Sequence, residues 1–213
     1  MRIRTKRFAA SFAGLVMIGV LASTAISQDK KDKPAAGAGG AGGPDAVMMA
    51  EMMKASMPGE QHAMLKKMAG KFNGEVTVKP AADAPEMKSK GSEVSEMILD
   101  GRFLKTDFSG DMMGMPYKGL GLNGYDNMKK KYVSIWADSI NTGVMTSEGE
   151  ADASGKKITY GGEYPCPMEG GKIKQFRQVF TVIDDDHHEF EMFQAGPDSK
   201  EFRGLHIKYT RVK

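Results

Sequence analysis

Cysteine is almost absent from this 213-residue sequence, which contains only Cys166. A single cysteine cannot close an intramolecular disulfide, so the folded part has to be held together by its hydrophobic core. Zinc motifs, serine nucleophile elbows, phosphate-binding loops and dinucleotide fingerprints are missing too. The sequence therefore predicts no catalytic residue and no cofactor.

Long apolar runs are also missing. The uncharged stretch at residues 8–21 is shorter than the roughly 20 apolar residues that a membrane-spanning helix needs. It follows four basic residues and precedes Ala-Ile-Ser at 25–27, the small-x-small form that signal peptidase cleaves. We expect residues 1–27 to be a signal peptide and the exported protein to be periplasmic or secreted, without a stable membrane span. An uncleaved N-terminal anchor is the alternative.

An excess of positive charge disappears once that segment is removed. The whole chain has a formal net charge of +3, and residues 1–27 hold four basic residues and no acidic ones, which leaves −1 for the remainder. Nucleic-acid-binding proteins neutralise phosphates with clustered Lys and Arg, and the remaining sequence has no such stripe. No nucleic-acid partner is expected.

The segment that follows changes from low complexity to helix-forming residues. Residues 28–45 are charged and then rich in Gly, Ala and Pro, which predicts a flexible linker. Residues 46–57 and 58–70 are rich in Met, Ala, Glu and Lys, which favour helix, and Gly70 is a natural helix stop. We expect one or two short helices that cap the domain.

After Gly70 the hydrophobic period becomes two, which is the period of a half-buried strand. Ten such segments follow, separated by turn sequences such as Asp100-Gly101 and Ser154-Gly155. A meander of this length tends to close, because closure removes the exposed edges. The prediction is an all-β fold: an antiparallel β-barrel of about ten strands, forming a single domain over residues 46–213. A two-sheet sandwich is the alternative.

Several short segments of this part share their order and spacing with a known family. They are Pro58–His62, Leu99–Leu104, Met115–Gly119, Gly124–Asp126, Tyr132–Ser139 and Tyr209–Arg211. Together they resemble DUF1579, a bacterial family of unknown function, over roughly residues 58–212. The resemblance implies a lipocalin-like, calycin-type barrel, and it implies no activity.

The resemblance also implies one structural contact. Lipocalin-like barrels often begin their first strand with Gly-x-Trp, and an arginine near the last strand packs on that ring. Here the stretch is Gly70-Lys71-Phe72, with Phe in place of Trp, and Arg211 is the candidate partner. We predict that Phe72 and Arg211 meet at the closed end of the barrel in a cation–π contact of about 0.5–2 kcal/mol.

Five side chains are candidates for a ligand-binding cavity: Tyr117, Tyr125, Trp136, Tyr160 and Arg177. Trp136 alternates with its strand neighbours in a row that also holds Ser134 and Asp138. If this row faces inward, it forms a polar and aromatic cavity wall. If it faces water, Ile135 and the residues of the opposite row belong to the core. The pattern leaves both orientations open.

Arg177 lies in the middle of an apolar strand, where an inward guanidinium would hold a carboxylate. Its own row is the less apolar of the two, which favours an outward position.

Methionines at the start of the predicted domain give a second hypothesis. Met48, Met49, Met52 and Met53 bring several thioethers within two helical turns, and thioethers favour Cu(I). The other interpretation is an amphipathic helix that uses Met as an adaptable apolar residue.

The leading functional hypothesis is an exported barrel that binds a small hydrophobic or amphipathic molecule without transforming it. The alternatives are a Met-based copper-binding protein, a barrel filled by side chains that binds a protein partner, and a hydrolase that uses Asp126 or Asp138.

Overall fold

The computed structural model describes residues 44–112, 114–166, 169–196 and 200–213. The predicted signal peptide and linker residues 28–43 lie outside this part of the chain. The first helix begins at Pro44, so it takes in the last two residues assigned to the linker. No helix among the described residues is long and apolar enough to span a membrane.

Two helices precede ten strands in the described chain. The helices are α1 (Pro44–Ser56) and α2 (Glu60–Lys67). The strands are β1 (Gly70–Val78), β2 (Met87–Ile98), β3 (Phe103–Met112), β4 (Met115–Asp126), β5 (Lys131–Asp138), β6 (Met145–Ala151), β7 (Lys157–Cys166), β8 (Lys172–Val182), β9 (His187–Ala195) and β10 (Glu201–Arg211).

The strands form a closed antiparallel barrel, as predicted, and the sandwich alternative is wrong. Each strand pairs with its neighbours in sequence, and β1 pairs with β10 to complete the ring. Closure leaves no strand of the ring with an unpaired edge. The first and last strands thus depend on each other for their backbone hydrogen bonds.

Period-two alternation decides which side chains fill the barrel. In β1, Phe72, Val76 and Val78 are buried while Lys71 and Glu75 are exposed.

The turn after β2 lies at the predicted turn sequence Asp100-Gly101. Leu99, Asp100 and Gly101 have φ values of 49°, 55° and 82°, a left-handed stretch that glycine adopts without steric cost.

Helix α2 plugs one end of the barrel. Its apolar face buries Met64 and Leu65, and Met68 follows directly after the helix. These side chains form one cluster with residues of the barrel wall, namely Leu104, Tyr132, Ile158, Tyr160 and Val182. The helical cap predicted from the sequence is therefore present as α2.

The predicted contact between Phe72 and Arg211 is confirmed at this plugged end. The guanidinium carbon of Arg211 lies 4.4 Å from the centre of the Phe72 ring. Its Nη1 donates to the Ala69 carbonyl at 2.9 Å and its Nη2 to the Lys67 carbonyl at 3.1 Å. A Cβ on Gly70 would lie 2.1 Å from Nη1, so only glycine leaves room for the guanidinium. Arg211 thus joins the last strand to the C-terminal end of α2.

Helix α1 lies on the outside of the domain. Met48, Met49, Met52 and Met53 are all more than half exposed. Among the described residues, the hydrogen bonds from the barrel to α1 are at its C-terminal end. Arg102 donates to the Ser56 carbonyl at 3.1 Å, and Asn127 donates to the Ala55 carbonyl at 2.8 Å.

We expect replacement of Arg211 by lysine to destabilise the protein by about 2 kcal/mol. Lysine cannot place a planar fork over Phe72 while donating to several carbonyls at once. The measurement is the free energy of unfolding in urea. Arg203→Lys is the matched control, because Arg203 makes an exposed ion pair with Glu191 and should change stability by no more than about 0.5 kcal/mol. Equal stabilities of the two variants would contradict this role for Arg211.

Candidate functional site: the barrel cavity

The barrel encloses a cavity of about 290 Å³ above the α2 plug. Most of its wall is apolar. The wall is formed by Met68, Glu93, Leu104, Thr106, Phe108, Met112, Tyr117, Asn123, Ser134, Trp136, Asp138, Ile140, Met145, Tyr160, Gln178, Phe180, His188, Phe190, Met192, Leu205, Ile207 and Tyr209. This volume is just below the range of roughly 300–1,000 Å³ that small-molecule pockets occupy, so the ligand that it can hold is small.

Strand β5 turns its aromatic row inward, which decides between the two orientations left open by the sequence. Ser134, Trp136 and Asp138 line the cavity, and Ile135 is exposed on the outer face. A Cβ on Gly119 would lie 2.0 Å from the Trp136 ring, and one on Gly121 would lie 3.2 Å from it. These two glycines of β4 therefore make the space in which the indole lies.

Tyr117 fixes the position of that indole. The Trp136 Nε1–H donates a hydrogen bond of 3.0 Å to the Tyr117 hydroxyl. Burial raises the pKa of Tyr117, so the hydroxyl stays protonated. Tyr160 is also buried in the wall, with its ring in an edge-to-face contact with that of Phe180. Three of the five predicted cavity residues are thus brought together around one space.

Tyr125 and Arg177 lie elsewhere. Tyr125 packs at the plugged end, with its ring centre 5.0 Å from that of Tyr132. Arg177 is on the outer face, where its Nε donates to Glu201 at 3.0 Å and its guanidinium covers the ring of Phe193 at 3.9 Å. Arg177 sits outside because the row of Phe176 and Gln178 is the buried one.

Asp126 and Asp138 both serve turns. Asp126 Oδ1 accepts hydrogen bonds from the backbone N–H groups of Met128 and Lys129. Asp138 Oδ1 accepts from the backbone N–H groups of Ile140 and Asn141. Oxygens already occupied in this way organise strand ends and are poorly placed for acid–base chemistry.

A buried polar cluster on β2, β3, β9 and β10 was missed by sequence reasoning. Ser95 Oγ donates to Glu93 Oε1 at 2.8 Å and lies 2.9 Å from Thr106 Oγ1. The Tyr209 hydroxyl is hydrogen-bonded to Glu93. The His188 ring stacks on Tyr209 with the ring centres 4.4 Å apart.

Burial favours the neutral forms of Glu93 and His188. Desolvation raises the pKa of Glu93 to about 7, against the lowering effect of its hydrogen bonds from Ser95 and Tyr209. Desolvation, followed by the positive charge of Arg211, lowers the pKa of His188 to about 4. His188 Nε2 lies 3.7 Å from Glu93 Oε1, but the two groups do not form an ion pair, because His188 has lost its proton at the pH where Glu93 ionises.

Asn123 is the second polar feature that the sequence did not single out. Its side chain lines the cavity, and the residue is only 8% exposed. Its Oδ1 is fully buried and accepts no hydrogen bond from any described residue. On the neighbouring wall, Ser147 Oγ donates to Gln178 Oε1 at 3.3 Å, so that pair is satisfied.

Metal-binding groups are scarce in the part of the chain that the structure describes. No three His, Cys, Asp or Glu residues there are grouped so that they could share an ion. His187 contacts Asp184 in an exposed turn, and His206 contacts Glu189 on the outer face. The Cys166 thiol is free and buried.

Comparison with protein families decides the membership of this chain. The family model described as "Protein of unknown function (DUF1579)" matches residues 57–211. This chain belongs to the DUF1579 family. The match covers α2 and all ten strands, and it confirms the resemblance drawn from the sequence. No curated protein matches the chain.

One solved structure shares the fold of this DUF1579 protein. Rv2717c from M. tuberculosis is 13% identical, with a TM-score of 0.54, and the match covers 74% of this chain and 100% of that protein. At this identity the similarity shows the fold alone. A redesigned beta barrel is 14% identical over 70% of this chain and 96% of its own, with a TM-score of 0.34.

Replacing Glu93 by glutamine should change how stability depends on pH. The folded protein keeps a proton on Glu93 that the unfolded chain loses between about pH 4.5 and about pH 7, so this carboxyl costs stability as the pH rises. Glutamine removes that cost. The stability of E93Q relative to wild type should therefore rise across this window, by up to about 3 kcal/mol.

Glu93 and His188 have opposite effects on how the stability of the protein changes with pH. The unfolded chain holds a proton on its histidine below about pH 6.5 that folded His188 releases above about pH 4, so His188 adds stability as the pH rises. When the free energy of unfolding of E93Q is measured in urea at several pH values, it should rise with pH because of His188. Glu96→Gln, on the exposed face of the same strand, is the control. A stability difference between E93Q and wild type that stays constant with pH would contradict the assignment.

Proposed function

We propose that this DUF1579 protein binds a small, partly apolar molecule inside the barrel and does not transform it. The observation that carries the proposal is the cavity of about 290 Å³, enclosed by strands and plugged by α2. A mostly apolar wall with a few inward polar groups is the usual form of a small-molecule site. The cavity also favours this function over that of a side-chain-filled barrel with a protein partner.

The polar groups support binding more than catalysis. The Ser95 hydroxyl is hydrogen-bonded to Glu93 and Thr106 and is not among the described groups that line the cavity. Asp138 lines the cavity, but its oxygens are occupied by the turn that follows β5. Acyl transfer needs a nucleophile that is hydrogen-bonded to a base, and among the described residues no histidine or carboxylate is hydrogen-bonded to the cavity-lining Ser134 or Thr106 hydroxyl. Glycosyl transfer needs a pair of available carboxyls, and those of Glu93 and Asp138 already accept hydrogen bonds.

The location that fits this function is outside the cytoplasm. We base this on the predicted N-terminal signal peptide at residues 1–27.

Bromohexane should bind in the cavity and quench Trp136. This residue is the only tryptophan of the chain and it lines the cavity, so contact with bromine reports occupancy directly. We expect saturable quenching in the wild type. Ser134→Phe, which fills part of the cavity, should weaken binding at least about tenfold, because an added ring takes up the volume the ligand needs.

The matched control is Ile135→Phe, since Ile135 is the next residue of β5 and points outward. Its quenching curve should follow the wild type. A curve that rises linearly without saturation, and equally in all three proteins, would show collisional quenching only and would contradict the proposed function.

Copper binding by α1 is a second candidate, favoured by the exposure of its thioethers. Met48, Met49, Met52 and Met53 are 54–63% exposed and none is used in the core. Adjacent thioethers on one short helix are suitable ligands for Cu(I).

Replacing these four methionines by leucine should lower Cu(I) affinity at least about tenfold, measured by competition with a chromophoric chelator. The control replaces four other exposed methionines, Met57, Met87, Met115 and Met128, by leucine. If both variants keep the wild-type affinity, or if the wild type does not compete with the chelator, α1 is not a copper site.

A further inference from the structure

We propose that His62 makes the α2 plug sensitive to acid, so that protonation of its ring loosens α2 and opens the plugged end of the cavity. This inference rests on the proposed function and concerns how the bound molecule is released. While His62 is neutral, α2 stays in place and a ligand can exchange only at the opposite end of the barrel.

The first observation is the hydrogen bond that the His62 ring accepts. His62 is the third residue of α2, and its Nδ1 accepts a hydrogen bond of 3.0 Å from the Gly59 N–H. The His62 N–H donates in return to the Gly59 carbonyl at 3.0 Å. In this reciprocal arrangement the side chain satisfies a backbone donor that the start of a helix leaves free. Because a backbone N–H can only donate, Nδ1 carries no proton in the folded protein.

The surroundings of His62 oppose a positive charge on the ring. The residue is only 5% exposed. Desolvation, followed by the positive charge of Arg102, lowers the pKa of His62, and a hydrogen bond with the Tyr125 backbone acts in the opposite direction. The first turn of a helix also carries the positive end of the helix dipole, which disfavours a cation there. A proton on His62 therefore favours a conformation in which the ring reaches water.

The groups that face His62 come from three sides. Tyr125 of β4 contacts the ring edge-on, with the ring centres 6.1 Å apart, and Tyr132 of β5 reaches the preceding carbonyl at 3.4 Å. Arg102 lies in the turn between β2 and β3, 3.8 Å from Asp100, whose side chain is almost fully exposed. The charged residues of α2 itself are Glu60, Lys66 and Lys67. Within the described chain no ion pair with a carboxylate holds a proton on His62.

The position of His62 makes α2 the element that responds to protonation. Met64 and Leu65, the buried side chains of the plug, follow it in the next turn of the helix. A protonated Nδ1 would place an N–H against the backbone N–H of Gly59, so the capping hydrogen bond is lost. Loss of this cap and the move of the charged ring into water unwind the first turn, which withdraws Met64 from the end of the barrel.

The other end of α2 stays attached when the first turn opens. The Arg211 guanidinium donates to the Lys67 and Ala69 carbonyls, and an arginine keeps its charge at any pH at which the protein is folded. The helix is thus held by an acid-sensitive contact at its start and by an acid-insensitive one at its end. Such an arrangement opens as a hinged plug and closes again when the pH is restored.

The pKa of His62 determines the direction of the pH effect. In the opened form the ring is in water and has its ordinary pKa of 6.5, whereas the pKa in the closed form is lower. The opened form therefore binds more protons below about pH 6.5, and the closed form loses stability as the pH falls. The ratio of opened to closed molecules rises by up to about tenfold per pH unit until the lower pKa is reached.

The test measures hydrogen exchange of the Met64 and Leu65 amides by NMR in the wild-type protein at pH 7.5 and pH 5.0. Their protection factors, which are corrected for the intrinsic effect of pH on exchange, should fall at least about fivefold at the lower pH. His62→Gln keeps an acceptor for the Gly59 N–H, because glutamine caps helices from this position, and it cannot take up a proton. Its protection factors should change by less than about twofold.

The matched control is His187→Gln, since His187 lies in an exposed turn and its side chain is 47% exposed. Its protection factors should fall with pH as those of the wild type do. An equal fall in the wild type and in His62→Gln, or no fall in the wild type, would overturn the proposal.

Release of a ligand is measured with bromohexane, by the recovery of Trp136 fluorescence after loaded protein is diluted at each pH. The dissociation rate constant at pH 5.0 relative to that at pH 7.5 should be at least about threefold larger in the wild type than in His62→Gln. Glu93 and His188 also line the cavity and titrate, but they are the same in both proteins, so the comparison isolates His62.

These outcomes separate the regulation from the binding function. If bromohexane does not quench Trp136 saturably at pH 7.5, the binding function fails and the inferred release fails with it. If bromohexane binds but its dissociation has the same pH dependence in the wild type and in His62→Gln, the binding function stands and the inferred regulation is wrong.

Discussion

The pairing of β1 with β10 is the constraint on which the rest of this structure depends. It joins residues near the start of the domain to residues at its end, with Phe72 opposite Arg211 and Val78 opposite Leu205. Without this pairing the other nine strand pairs would form an open sheet with two exposed edges and no enclosed space. The paired residues are also distant in sequence, so forming the contact costs much chain entropy. Only the completed core offsets this cost. Arg211 stabilises the pairing further, because its hydrogen bonds join the last strand to the C-terminal end of α2.

Much of the fold could be predicted from the sequence because its signals are local. The change of period after Gly70, the turn sequence Asp100-Gly101 and the alternation in β1 depend on neighbouring residues only. The contact of Phe72 with Arg211 required a resemblance to known barrels, since nothing local connects positions so far apart. The orientation of β5 was undetermined because both of its rows hold apolar and polar residues, and the decisive factor, two glycines on β4, lies on another strand.

The interior polar groups could not be predicted, and β2 shows why. Its two rows each contain one glutamate, and the two aliphatic side chains of the strand, Val94 and Ile98, lie in the row opposite to that of Glu93. In the structure Val94 is 45% exposed while Glu93 is 5% exposed, because Ser95, Tyr209 and Thr106 from β2, β10 and β3 form a polar niche around that carboxyl. His188 was similarly obscured by the acidic turn before it. A buried polar residue is specified by partners distant in sequence, so its row carries no local signal.

The α2 plug has a kinetic consequence for whatever the cavity holds. Because Leu65 and its neighbours close one end, the cavity is a blind pocket, and a ligand must arrive and leave through the opposite end. There the described part of the rim includes Met112, Ile140 and Met145, side chains at strand ends and in turns. Affinity is determined by the rigid strands of the wall, whereas residence time is determined by how readily these side chains move aside. Changes at the rim should therefore alter both rate constants together and leave their ratio nearly constant.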